Sequence, residues 1–231
     1  MLKRLCASLC LVAFAAPVCA ADGDTVPLKK GEKIIFLGDS ITAGGGGAKG
    51  YITVIKNALT EKHKDLGIEV VNAGVSGNKV PNLQARLEKD VLAKKPTLVV
   101  IYIGINDVWH GEKNAANGTS KEKFEEGMKD IISKIKAIDA RVILCTPTVI
   151  GEKTGGANSL DAKLDEYSEI TRKLAKELKL PLCDLRQAFV DHLKSNNTDN
   201  KESKVLTTDR VHLNEAGNKL VADTMLKTID K

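Results

Sequence analysis

Leu98-Val99-Val100-Ile101-Tyr102-Ile103-Gly104-Ile105-Asn106-Asp107 is the stretch that decides the fold. Its first six residues are apolar without a break, so the strand they predict has no polar face. A half-exposed strand alternates; an unbroken run belongs to a central strand covered on both sides. Gly104 and the Asn-Asp pair end the run and set polar groups at its carboxyl end. Shorter runs of the same kind lie to either side, at Lys33–Leu37, Ile68–Val71, Arg141–Cys145 and Leu182–Leu185. Amphipathic segments separate them: Tyr51–Lys62, Val80–Leu92, Ser120–Ile138, Leu160–Leu178 and Asn214–Ile229. Thr119 and Glu122 stand at capping-box spacing for the third of these.

Strands that alternate with helices predict right-handed βαβ units, hence a parallel sheet with helices on both faces. Five strands fit one α/β domain, a three-layer αβα sandwich, over residues 21–231. Three long polar loops are expected at 105–120, 150–159 and 195–204.

Residues 1–20 read differently. Lys3 and Arg4 are followed by a mostly apolar stretch and then Val18-Cys19-Ala20. This is the order of a secretory signal peptide cleaved after Ala20, and it predicts a secreted or periplasmic protein. Its apolar part is short for a membrane span, and no stable membrane insertion of the mature chain is expected. Cleavage leaves Cys145 and Cys183, both in apolar runs, which read as buried free thiols and not as a disulfide framework. The charged fraction of 28% and net charge of +5 describe an ordinary soluble chain. No basic run with interleaved aromatics suggests a nucleic-acid partner.

In an open α/β sheet, ligands bind beyond the carboxyl ends of the strands. There the sequence places Gly38-Asp39-Ser40, Asn72-Ala73-Gly74 and Gly104-Ile105-Asn106-Asp107, with Asp209-Arg210-Val211-His212 before the last helix. A serine hydroxyl needs a base, which His212 can be. A histidine base needs an orienting partner, and Asp209 is three residues away. An oxyanion needs preorganised donors; the Ser40 and Gly74 N–H groups and the Asn106 amide can supply them.

The four blocks, in this order and spacing across residues 33–230, resemble the SGNH hydrolase superfamily, or GDSL esterases and lipases. The resemblance implies a flavodoxin-like five-stranded parallel sheet and metal-free hydrolysis of an ester or thioester. By position it implies Ser40 as nucleophile, His212 as base, Asp209 as its orienter, and Ser40, Gly74 and Asn106 as the oxyanion hole. The expected function is a secreted serine esterase acting through an acyl-enzyme on a small or exposed acyl ester, a class that includes O-acetyl groups on carbohydrate. The alternatives are a thioesterase or lysophospholipase for longer chains, and a binding module that retains only the fold. Trp109 and His110 are candidate substrate contacts: Trp109 can stack on a sugar or pack within its loop, and His110 is read as a cleft wall.

No cofactor is called for, and no His/Cys/Asp cluster has metal-ligand spacing. The glycine run at 44–50 lacks the Gly-Lys-Ser/Thr ending of a phosphate loop and is expected to form a flexible lip of the cleft. No Gly-x-Ser-x-Gly elbow surrounds Ser40. His63 and His192 are expected to be solvated.

Overall fold

A computed structural model describes residues 26–230. The signal-peptide reading at 1–20 lies outside the described residues. Five strands, β1 (Lys33–Gly38), β2 (Glu69–Gly74), β3 (Leu98–Tyr102), β4 (Arg141–Cys145) and β5 (Leu182–Cys183), form one parallel sheet in the order β2-β1-β3-β4-β5. All five β3 residues are buried, as the unbroken apolar run requires. Cys145 and Cys183 face each other across β4 and β5 as buried free thiols.

Eight helices follow the strands: α1 (Ser40–Gly44), α2 (Tyr51–Lys62), α3 (Val80–Asp90), α4 (Ile105–Trp109), α5 (Lys121–Lys136), α6 (Asp161–Leu178), α7 (Leu185–Asn196) and α8 (Glu215–Ile229). Helices α3, α5 and α6 pack together, as do α2, α7 and α8. These two layers cover the sheet. The chain runs from β1 outward to β2, then returns past β1 to β3. The strand order therefore reverses between β1 and β3, and a crevice opens beyond their carboxyl ends; this flavodoxin-like order is a general case of the switch-point rule. Ser40 follows β1 directly, and Asn106 follows β3.

Three readings of the sequence are corrected. The fifth strand, expected over Leu182–Leu185, ends at Cys183, and helix α7 already begins at Leu185. Asp184 caps it by accepting from the Gln187 N–H, and Leu185, Phe189 and Leu193 form its buried stripe. Second, α5 begins one residue later than the capping-box spacing suggests. Ser120 is its N-cap and accepts from the Lys123 N–H, while Thr119 is buried outside the helix with its N–H on the Asp107 carbonyl. Third, the glycine run folds back on itself: the Gly45 carbonyl accepts from the Ile52 and Thr53 N–H groups. A Cβ on Gly50 would lie 2.2 Å from that carbonyl oxygen, so the segment is a packed turn at the start of α2.

Candidate active site

The nucleophile candidate begins a short helix. Asp39 caps α1 by accepting from the Ile41 N–H at 2.9 Å. Ser40 is the first residue of that helix, so its own N–H has no acceptor within the helix and can serve a ligand. Its Oγ lies 3.0 Å from His212 Nε2, although the two are 172 residues apart in sequence. On the other side of the ring, His212 Nδ1 is 2.7 Å from Asp209 Oδ2. The second Asp209 oxygen accepts the His212 N–H at 2.8 Å and the Val211 N–H at 3.2 Å. Burial works to raise the Asp209 pKa, but the His212 ring and these two N–H donors outweigh it and hold it below the usual carboxylate range. An ionised carboxylate can only accept, so Nδ1 carries the ring proton and the Nε2 lone pair faces Ser40.

Asn106 lies in α4, a turn of helix inside the segment expected to be loop. Gly104, with φ of 127°, makes the abrupt exit from β3 that leads into it. The Asn106 side chain is 3% exposed, and Nδ2 donates to the Asn78 carbonyl at 3.0 Å. One of its two amide protons is thus committed and fixes the rotamer; the other is available to an oxyanion.

Gly74 ends β2. Its N–H donates to Asn72 Oδ1 at 2.8 Å, while Asn72 Nδ2 donates to the Thr42 and Ala43 carbonyls. A Cβ on Gly74 would lie 2.1 Å from the Ala43 nitrogen, so only glycine lets α1 lie this close to β2. Its amide reaches an oxyanion only by sharing the bond to Asn72.

Trp109 is half-buried against the core, with its ring centroid 6.4 Å from that of His110. His110 is exposed beside an open polar depression lined by Lys79, Ala116 and Asn117. Burial, then the nearby Lys79 charge, lowers its pKa, so His110 favours the neutral form. His63 is not simply solvated: its Nε2 is 2.8 Å from Asp230 Oδ1, and its side chain is 24% exposed. His192 is half-buried within α7.

Glu152 has no motif to announce it. It sits in the loop between β4 and α6, fully buried, and accepts from the N–H groups of Val205, Leu206 and Thr207 at 2.8, 2.8 and 2.5 Å. The preceding Gly151 N–H donates to the Arg210 carbonyl at 2.9 Å. Together these bonds fasten the segment that carries Asp209 and His212 to the end of β4. Nearby, a cavity of about 530 Å³ lies between that loop, α6 and α7, with Arg186, Asp161 and Asp165 in its wall. It contains none of the residues singled out from the sequence. Among the described residues, no group of three or more His, Cys, Asp or Glu side chains could hold a metal ion.

A family model described as "GDSL-like Lipase/Acylhydrolase family" matches residues 36–220, which include all four blocks. The chain belongs to the GDSL-like lipase/acylhydrolase family. An acetylxylan esterase of Geobacillus stearothermophilus is 33% identical over 217 residues, covering 86% of this chain and 94% of that protein. A crystal structure of an acetyl xylan esterase superposes with a TM-score of 0.80 at 44% identity, covering 84% of this chain and 97% of the other. The thioesterase 1/protease 1/lysophospholipase L1 of Escherichia coli K12 is 25% identical, covering 86% of this chain and 83% of that protein. Solved structures of the Geobacillus enzyme include catalytic mutants in which a serine, an aspartate or a histidine is replaced by alanine, the last two being three positions apart in its sequence. This GDSL family member is a carboxylic ester hydrolase.

Proposed function

We propose that the chain is a secreted serine esterase that removes O-acetyl groups from carbohydrate through an acyl-enzyme on Ser40. The observation that carries the reading is the continuous Ser40–His212–Asp209 hydrogen-bond chain at the sheet's switch point. His212 Nε2 takes the hydroxyl proton as Ser40 Oγ attacks the ester carbonyl. The oxyanion is held by the Ser40 N–H and the free Asn106 amide proton, with the Gly74 N–H shared from Asn72. Collapse breaks the ester bond, and the leaving alcohol takes the proton from His212. Water then attacks the acyl-enzyme, giving its proton to His212 and releasing acetate and the Ser40 hydroxyl. Asp209 orients the ring throughout and stabilises its charged form.

The acetylxylan esterase relatives support the acetyl group and the carbohydrate alcohol. The basic and apolar order of residues 1–20 supports export, with residues 21–231 as one mature hydrolase domain. Among the described residues, no helix is long and apolar enough to cross a membrane. The test is acetate release from acetylated xylo-oligosaccharides, compared with hydrolysis of acetyl, butyryl and palmitoyl esters. Turnover of the oligosaccharide and of short esters, lost in Ser40→Ala, is the expected result. A kcat/KM that climbs steadily to palmitoyl would favour the thioesterase or lysophospholipase reading instead, and failure of an organophosphonate to label Ser40 would favour a binding module.

A further inference from the structure

We infer that Arg86, outside all four blocks, is a positioning residue that holds the end of the nucleophile strand and the Asn106 amide in one register. The inference rests on the roles proposed above for Ser40 and Asn106. Arg86 projects from α3 with its side chain only 15% exposed. Its guanidinium donates in three directions. Nη2 reaches the Gly38 carbonyl at 2.8 Å, two residues before Ser40. Nε reaches Asn78 Oδ1 at 2.7 Å. Nη1 reaches Asp90 Oδ2 at 2.9 Å, one turn further along α3. Asn78 in turn accepts from Asn106 Nδ2 through its own carbonyl, and Gly38 also accepts from the Val75 N–H.

This pattern differs from that of a surface ion pair. The one carboxylate partner, Asp90, is on the same helix, whereas the two inward bonds go to neutral oxygens on β1 and on the loop after β2. Those oxygens are one step from the serine and from the amide that polarises the substrate. A rigid planar fork can span them, and a single ammonium cannot. Asn78 held by its side chain gives Asn106 a fixed acceptor, and that acceptor keeps the second Asn106 proton aimed at the oxyanion. Displacement of about 1 Å in such a site is enough to lower turnover by roughly 100-fold.

The experiment is a double-mutant cycle on acetyl-ester hydrolysis, using Arg86→Met, Asn106→Ala and the double variant, with Asp90→Ala as control and thermal unfolding of each. Arg86→Met is expected to lower kcat by about 10- to 100-fold with KM changed less than about 3-fold. In the Asn106→Ala background the same change should cost less than about 3-fold, because the group it positions is gone. Asp90→Ala removes only the outer pair and should leave kcat within about 2-fold even where it lowers the melting temperature. If Arg86→Met does not fold, Arg86→Lys replaces it in the cycle with the same expectations. Equal losses from Arg86 replacement in both backgrounds, or a loss confined to KM, would overturn the inference. So would a kcat loss in Asp90→Ala matching that of Arg86→Met. If Asn106→Ala alone leaves kcat intact, the oxyanion assignment falls and the Arg86 inference falls with it; if Asn106→Ala behaves as expected and the losses multiply, the Arg86 inference falls alone.

Discussion

Asp39 and Asp107, neighbours in sequence of Ser40 and Asn106, are buried carboxyls behind the site, and the charge of Asp107 raises the pKa of Asp39. Burial is the larger cause and pushes Asp39 up to about 7, against the hydrogen bond from the Ile41 N–H and the pull of His212. Asp107 is pushed up to about 6, again chiefly by burial; its Oδ1 accepts from the Val80 N–H, and its Oδ2 has no hydrogen-bond partner.

The first prediction concerns stability. Folded Asp39 keeps its proton up to about pH 7, whereas the unfolded chain releases it near the ordinary aspartate value of 3.8. Between these values the folded state binds more protons, so this group's contribution is greatest below about pH 4 and is lost as pH rises through 7. Asp39→Asn retains an oxygen that can cap α1 and removes the titration. Its stability relative to wild type should rise between pH 4.5 and 8, by on the order of a few kcal/mol. Parallel denaturation curves for the two proteins across that range would contradict the assignment.

Ser40→Ala should abolish ester hydrolysis with the fold intact, since Ser40 lies at the mouth of the sheet and outside its apolar core. Asn106→Ala should lower kcat by roughly 10²–10³, the usual loss for one oxyanion donor. Steady-state kinetics beside circular dichroism checks both. A change only in KM for Asn106→Ala would make it a substrate-binding residue.

Glu152→Ala should destabilise the chain by several kcal/mol, because the buried Leu206 and Thr207 N–H groups lose their acceptor at about 1–3 kcal/mol each, and the half-buried Val205 N–H loses its own. It should also lower kcat, because those groups belong to the segment that leads into Asp209 and His212. Glu152→Gln keeps one acceptor oxygen and should recover part of both losses. Denaturant unfolding and kcat measured on the same preparations test this; a stable, fully active Glu152→Ala would show that the loop holds itself.

His212→Gln should eliminate turnover, whereas His110→Gln should leave the shape of the pH–rate profile unchanged whatever it does to KM. His110 is held toward its neutral form by burial and Lys79 and makes no hydrogen bond to Ser40. If His110→Gln reshapes the profile, the base has been assigned to the wrong ring.

Residue order alone determined the sheet and its helices to within a residue or two in most elements. The unbroken run at 98–103 could only be a doubly covered strand, and the 3.6-residue stripes from Tyr51 to Ile229 could only be helices on its faces. The blocks at 38–40, 72–74, 104–107 and 209–212 were legible because strand-end chemistry depends on residue type at fixed short spacing. Helix α7 was legible too, in Asp184 and the stripe Leu185, Phe189, Leu193, but the strand run into Leu185 obscured its start. Tertiary structure decided the rest. Trp109 is half-buried against the core, and the Gly74 N–H is shared because Asn72 folds back on it. Glu152 holds the site through three backbone N–H groups, and Arg86 reaches the nucleophile strand through the Gly38 carbonyl, groups that every residue carries. Such partners leave no mark on residue type, so only the folded chain reveals which side chains meet them.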